Sequence, residues 1–190
     1  MKEYFFIAVL TLTLSSGNVL SQECGAEISG GVTPVCYNSS PGEITATGSG
    51  GLVYSYQWYA GGEKLEGAVG SSYTPGQMML TTSFYCEITS EECGTIQTSE
   101  LTIVVDPLTE GGTVTGPAQV CYGSSAAVLT LEGQVGMVVN WQSSADGIVW
   151  DDIAYDQITY TTGIIEEEVS FRVIVKSGVC DPEFSEQHLI

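Results

Sequence analysis

Residues 34–40 read Pro34-Val35-Cys36-Tyr37-Asn38-Ser39-Ser40, and residues 119–125 read Gln119-Val120-Cys121-Tyr122-Gly123-Ser124-Ser125. The second stretch restates the first about 85 residues further on, and other landmarks return in the same order at nearly the same offset. Gln57-Trp58 returns as Asn140-Trp141, and Tyr73-Thr74-Pro75-Gly76 as Tyr160-Thr161-Thr162-Gly163. Ser83-Phe84 returns as Ser170-Phe171, Cys93 as Cys180, and Ser99-Glu100 as Ser185-Glu186. Such ordered recurrence marks a duplication: two copies of one module, joined near Asp106-Pro107.

Each copy is a succession of short strands separated by turn residues. In the second, strand cores are expected at Val128–Leu131, Met137–Gln142, Ile148–Trp150, Ile158–Tyr160 and Phe171–Val175. Phe171, Val173 and Val175 alternate with Arg172, the two-residue period of a sheet with one wet face. The same face of the first copy carries Phe84, Cys86 and Ile88. Asp146-Gly147 is placed for a tight hairpin turn, and Gly61-Gly62 holds the equivalent place in the first copy. No stretch sustains a helical period over three turns. Roughly seven strands per module, a Trp in the third strand and widely spaced cysteines predict an all-β chain of two tandem immunoglobulin-like Greek-key sandwiches. A fibronectin-type sandwich is the close alternative.

Composition agrees. The 190 residues hold 23 Gly and 10 Tyr, with 43% apolar residues, enough for packed cores and typical of a turn-rich β protein. Four Lys and Arg against 23 Asp and Glu leave a net charge of −19, which repels a phosphate backbone, so nucleic acid is excluded as a partner. At the amino terminus, Met1-Lys2-Glu3 precedes an apolar run from Phe5 to Leu14, followed by small polar residues up to Ser21. That is the order of a secretory signal peptide, expected to span residues 1–21 with cleavage after Ser21. The residues before Cys24 lack the pattern of a lipid-anchor site, and no other apolar run is long enough for a transmembrane helix. The expected organisation is a signal peptide at 1–21, one module at 22–106 and a second at 107–190. The last strand, Ser185 to Ile190, is about three residues shorter than Ser99 to Val105, so it is expected to continue in a longer chain.

The order Val-Cys, a Trp strand, Tyr-Thr, a Phe strand, a terminal Cys and a last Thr/Val strand resembles the immunoglobulin-like repeats of large exported bacterial surface proteins, particularly Bacteroidetes-type adhesins. The resemblance covers residues 27–190 and implies a cell-surface role with further modules C-terminal to this pair. In an exported chain, six cysteines are read first as disulfides. By the repeat, Cys36 is expected to pair with Cys93 and Cys121 with Cys180, each bridge clipping one end of its own sandwich. Cys24 and Cys86 have no counterparts in the second module; Cys86, on the inward face, is either a buried thiol or bridged to Cys24, with the bridge favoured.

Candidate chemistry is sparse. His188 is the single histidine and has no nucleophile-elbow pattern beside it, so no catalytic residue is assigned and no enzyme activity is expected. Ser144-Ala145-Asp146-Gly147-Ile148-Val149-Trp150 is similar to the Asp-box of sialidase-like propellers but lacks one residue between Asp and Gly, and reads better as strand-turn-strand with Trp150 packed on the sheet. Asp146, Asp151, Asp152 and Asp156 crowd one end of the second module, with Asp106 and Glu110 at the joint, and are candidate calcium ligands without any established loop spacing. No other cofactor is expected. Glu166-Glu167-Glu168 is a solvated charge run. Trp58 and Trp141 are core residues, and Tyr54, Tyr56, Tyr73 and Tyr160 join the packing around them. Tyr59 and Tyr155 remain as contacts for a protein or glycan ligand. The expected function is a non-enzymatic surface adhesion, binding or spacer element; the alternative is the accessory part of a larger secreted hydrolase.

Overall fold

The computed structural model describes residues 23–52, 54–123 and 127–190, all β and turn. The expected signal peptide lies outside the described residues. In the first module, β1 (Gly25–Gly30), β3 (Ile44–Ser49) and β6 (Ser72–Tyr73) form one antiparallel sheet in the order β1-β3-β6. Facing it, β5 (Glu63–Lys64), β4 (Ser55–Ala60), β7 (Thr82–Ser90) and β8 (Gly94–Gln97) line up in that order, with β9 (Leu101–Ile103) also on β7. A further parallel pair joins β2 (Val35–Cys36) to β10 (Val105–Asp106), with Cys36 opposite Asp106.

The second module repeats the two larger sheets. Its first sheet runs β11 (Thr113–Thr115), β12 (Val128–Glu132), β15 (Thr159–Thr161). Its second runs β14 (Asp151–Ile153), β13 (Met137–Ser144), β16 (Ser170–Lys176), β17 (Glu183–Phe184), with β18 (His188–Leu189) also on β16. Two immunoglobulin-like sandwiches in tandem are therefore the architecture.

Alternation decides what each sheet buries. In β7 the side chains of Phe84, Cys86 and Ile88 point inward, and in β16 those of Phe171, Val173 and Val175 do the same. Each core closes on a tryptophan with no exposed surface, Trp58 in one and Trp141 in the other. A buried indole needs a partner for its N–H. Trp58 donates to Gly70 O at 2.9 Å and Trp141 to Gln157 O at 2.8 Å, the same bond in both copies. Tyr73 and Tyr160 lie against these indoles, with ring centroids 6.1 and 5.3 Å away.

The Ser-Glu landmark is out of register by one residue: the structural counterpart of Ser185 is Thr98, not Ser99. The last strand breaks in the same place in both copies, and there a side chain replaces the ladder. Cys86 N donates to Thr98 Oγ1 at 3.0 Å, and Val173 N donates to Ser185 Oγ at 2.8 Å. Each hydroxyl in turn donates a hydrogen bond to the following carbonyl, Thr98 to Ser99 O and Ser185 to Glu186 O, so amide and hydroxyl are both satisfied across the break.

One expected strand shifts. Residues 148–150 are not in the sheet; the ladder resumes at Asp151–Ile153, and Ile148 and Val149 stand 81% and 67% exposed. The tight turn belongs to the first module alone, where Gly61 and Gly62 take φ of +58° and +85° between β4 and β5. In the second module the Asp146 carboxylate accepts from the amides of Ile148 and Val149, both at 2.8 Å, and this Asx-type cradle holds a wider loop in place of a hairpin.

Candidate functional site

The two disulfides do not follow the expected pairing. Cys24 bridges Cys93 and Cys36 bridges Cys180, with Cα atoms 5.8 and 4.9 Å apart. Cys86 and Cys121 are free, the first buried and the second exposed. Expected pairs Cys36–Cys93, Cys121–Cys180 and Cys24–Cys86 are thus all replaced, and the reason is which end of the sandwich each residue occupies. Cys93 follows β7 at the end where β1 begins, with its sulfur 3.8 Å from Ser49 O. Cys36, locked opposite Asp106 by the β2–β10 pairing, lies at the other end. Between the ends runs β7, nine residues long, or about 30 Å of extended chain at ~3.3 Å per residue. A disulfide tolerates no more than about 7 Å between Cα atoms. Equal position in two copies therefore marks equal ends, and the bridge forms between what is adjacent across the joint.

The joint is a clasp centred on Asp106. Its carbonyl accepts from Tyr37 N at 2.8 Å, tying the β2 segment of the first module to the exit strand. Its carboxylate accepts from Val179 N at 2.9 Å, reaching the turn that carries Cys180 in the second module. Gly178, at φ +48°, leaves room for this: a Cβ there would collide with the Asp106 carboxylate. The disulfide from Cys36 to Cys180 lies beside these contacts and spans the modules covalently. Immediately beyond, Thr109 Oγ1 accepts from Ser177 N at 3.1 Å in a buried setting, fastening the entry of the second module to the same turn. Asp106, singled out above for calcium, is a hydrogen-bonding pivot.

Of the remaining calcium candidates, Asp146 and Asp152 are also engaged within the protein. Asp146 accepts from Ser144 Oγ as well as from Ile148 N and Val149 N, and those backbone donors hold its carboxyl below the usual carboxylate range. Asp152 Oδ1 accepts from the side-chain amides of Gln142 and Asn140, both at 2.7 Å, with the same effect on its pKa. Asp151 lies next to it in β14, exposed. Among the described residues no group of three or more His, Cys, Asp or Glu converges as a metal-binding set. His188 sits in β18 with its Nε2 3.2 Å from Pro117 O.

The outer face of the larger sheet of the second module carries the arrangement that sequence reasoning missed. Arg172 lies between two rings, its guanidinium 4.1 Å from the Trp150 centroid and 4.0 Å from that of Phe184. Its Nε donates to Gln142 Oε1 at 2.7 Å, and Gln142 in turn donates to Asp152. Trp150 does pack on the sheet as expected, on the outer face and against a cation. Exposed Ile148 and Val149 flank it in sequence. The corresponding face of the first module holds Tyr59 stacked on Tyr85, centroids 4.6 Å apart and planes 7° from parallel, with Tyr59 Oη donating to Glu87 Oε2 at 2.8 Å. Tyr59, an expected contact residue, is therefore committed to its neighbours. Tyr155 packs on Tyr160 and keeps 38% of its surface. The signal for the Arg172 stack was the outward-facing arginine in β16, among only four basic residues of the chain.

Comparison with known proteins bears on the fold. The chain is similar to a crystal structure of domains A168–A170 of titin, at 16% identity with a TM-score of 0.56, covering 88% of this chain and 66% of that one. It spans about two thirds of that titin segment. A lesser likeness, TM-score 0.42 at 16% identity, is to fibronectin(III)-like modules of CbhA from Clostridium thermocellum, over 85% of this chain and 92% of that one. No curated protein matches. One family profile matches twice, at residues 25–107 and again at 110–190, each match taking in one sandwich. The chain belongs to this family, described as "Domain of unknown function (DUF8696)", and carries its domain in two consecutive copies.

Proposed function

We propose that this pair of modules is an exported, non-enzymatic spacer of the cell surface that holds whatever it carries at a fixed angle and distance. The observation that supports the reading is the Cys36–Cys180 bridge across the joint. A tandem sandwich joined only by a short linker pivots freely by default. A covalent tie beside the Asp106 pivot removes most of that freedom, and the useful consequence of removing it is mechanical. Export is consistent with the two disulfides, which persist in oxidising compartments, and with the secretory order of residues 1–21. The resemblance to immunoglobulin-like repeats of bacterial surface proteins points the same way.

Small-angle scattering on the mature chain tests this. The native protein is expected to fit one narrow distribution of shapes, and the Cys36→Ser/Cys180→Ser variant a broader one with a larger mean radius, while circular dichroism stays unchanged. A native distribution as broad as that of the variant would remove the spacer reading.

A further inference from the structure

The bridge pattern is a rule that can be read forward. The first-module cysteine of the β2 segment, Cys36, pairs with the β16–β17 turn cysteine of the second module, Cys180. The equivalent turn cysteine of the first module, Cys93, pairs with Cys24, which lies just ahead of β1. Cys121 is the second module's counterpart of Cys36, and it is free and exposed.

Its setting shares two features with that of Cys36. The residue two positions on takes a left-handed conformation in both copies, φ +64° at Asn38 and +70° at Gly123. The amide of that residue is bound to the equivalent carbonyl, Asn38 N to Met78 O at 2.7 Å and Gly123 N to Ile165 O at 3.1 Å. The turn that follows Cys36 is thus matched, at Gly123, by the turn that follows Cys121. What differs is the covering. Tyr37, whose amide donates to Asp106 O, is 41% exposed, while its counterpart Tyr122 is 82% exposed and sits over a groove formed with Val120, Ile165, Leu189 and Ile190.

We infer that Cys121 is a docking cysteine for a further module of this same family, one whose β16–β17 turn carries a cysteine in the place of Cys180, so that each module is stapled covalently to the next. In the step, the thiols of Cys121 and of the incoming turn cysteine each lose a proton, and the S–S bond forms between them. The two electrons pass to a disulfide oxidant such as glutathione disulfide, which leaves as two glutathione thiols. The inference rests on the bridge geometry and stands whether or not the pair serves as a surface spacer.

The test is a three-module chain in which a second copy of residues 104–190 follows Ile190, so that the β10 segment and Asp106 are supplied at the new joint, refolded in a glutathione redox buffer and mapped by non-reducing peptide mass spectrometry. The expected product joins Cys121 to the appended copy's turn cysteine, leaving Cys86 and the appended copy's docking cysteine as the only alkylatable thiols after denaturation. A folded third module with Cys121 still alkylatable would overturn the inference. Should the appended copy not fold, Cys24→Ser in the native chain frees Cys93 at the opposite end of the molecule. This variant is expected to form head-to-tail oligomers linked Cys121–Cys93, abolished by Cys121→Ser. Monomers, or dimers linked Cys121–Cys121, would overturn it.

Discussion

Cys86 in β7 and Val173 in β16 occupy one position of a shared blueprint, each opposite the core tryptophan of its module, and neither has any exposed surface. Burial pushes the Cys86 thiol up from its ordinary range, which keeps it protonated and unreactive. It is there as a small apolar side chain, not as a redox group. Cys86→Val is accordingly expected to cost less than about 1.5 kcal/mol, the usual range of a volume-conserving exchange, as measured by urea denaturation. Trp58→Ala, which empties the largest side chain of the same core, is expected to cost about 3–5 kcal/mol. In the native chain, iodoacetamide is expected to modify Cys121 and to spare Cys86 until denaturant is added. Modification of Cys86 under native conditions would show the first core to be open. At the joint, Gly178→Ala would push its Cβ into the Asp106 carboxylate. Faster hydrogen exchange at Val179 N, with the rest of the second module unchanged, is the expected mark of the broken contact.

At the scale of elements, the Ser144-to-Asp151 loop shows how a local acceptor overrides a turn signal. Asp-Gly announced a two-residue hairpin, yet the Asp146 carboxylate gathers two amides, and Ser144 Oγ accepts from Gly147 N at 2.8 Å, so that the chain runs on before rejoining the sheet. A side-chain oxygen bound to amides two and three residues ahead favours the charged form of the carboxyl, so its pKa is lowered on folding. The sign follows. A depressed carboxylate pKa contributes stability that is present above the unfolded value, near 3.8, and is lost as pH falls through the folded value. The amide resonances of Ile148 and Val149 are expected to move together with a midpoint below that of a free aspartate, and Asp146→Ala to remove their exchange protection at neutral pH. A midpoint at the ordinary aspartate value would show the cradle to be absent in solution. Strand identity, module number, the two core tryptophans and the inward face of β7 and β16 were legible from alternation and repetition, because burial imposes a period on each strand separately. The disulfide partners and the Arg172 stack were not. They depend on which sandwich end or sheet face meets which, and spacing along one chain does not carry that.

For the whole molecule the governing quantity is charge. A net charge of −19 is distributed over two small sandwiches, and among the described residues the ion pair is Lys64 with Glu66, 3.6 Å apart and well exposed. Such a surface pair contributes little, so the carboxylates mostly repel one another, and the clasp must hold two like-charged bodies together. Part of the role of the Cys36–Cys180 bridge is then to oppose this repulsion. Its loop of 144 residues would constrain an unfolded chain by about 5 kcal/mol in the loop-entropy model. Each module has a core of its own, however, so most of the bridge's effect falls on the angle between modules and little on their separate stabilities. Salt separates the two contributions. Raising ionic strength from about 0.01 to 0.15 M shortens the screening length from about 30 to about 8 Å. The melting temperature should therefore rise, by about 4–8 °C for each kcal/mol of repulsion relieved within a module of this size, in the native chain and in Cys36→Ser/Cys180→Ser alike. The scattering radius, by contrast, should shrink with salt in the variant and stay constant in the native chain, because only the unbridged modules can swing apart. A native radius that contracts as much as that of the variant would mean that the bridge does not set the angle.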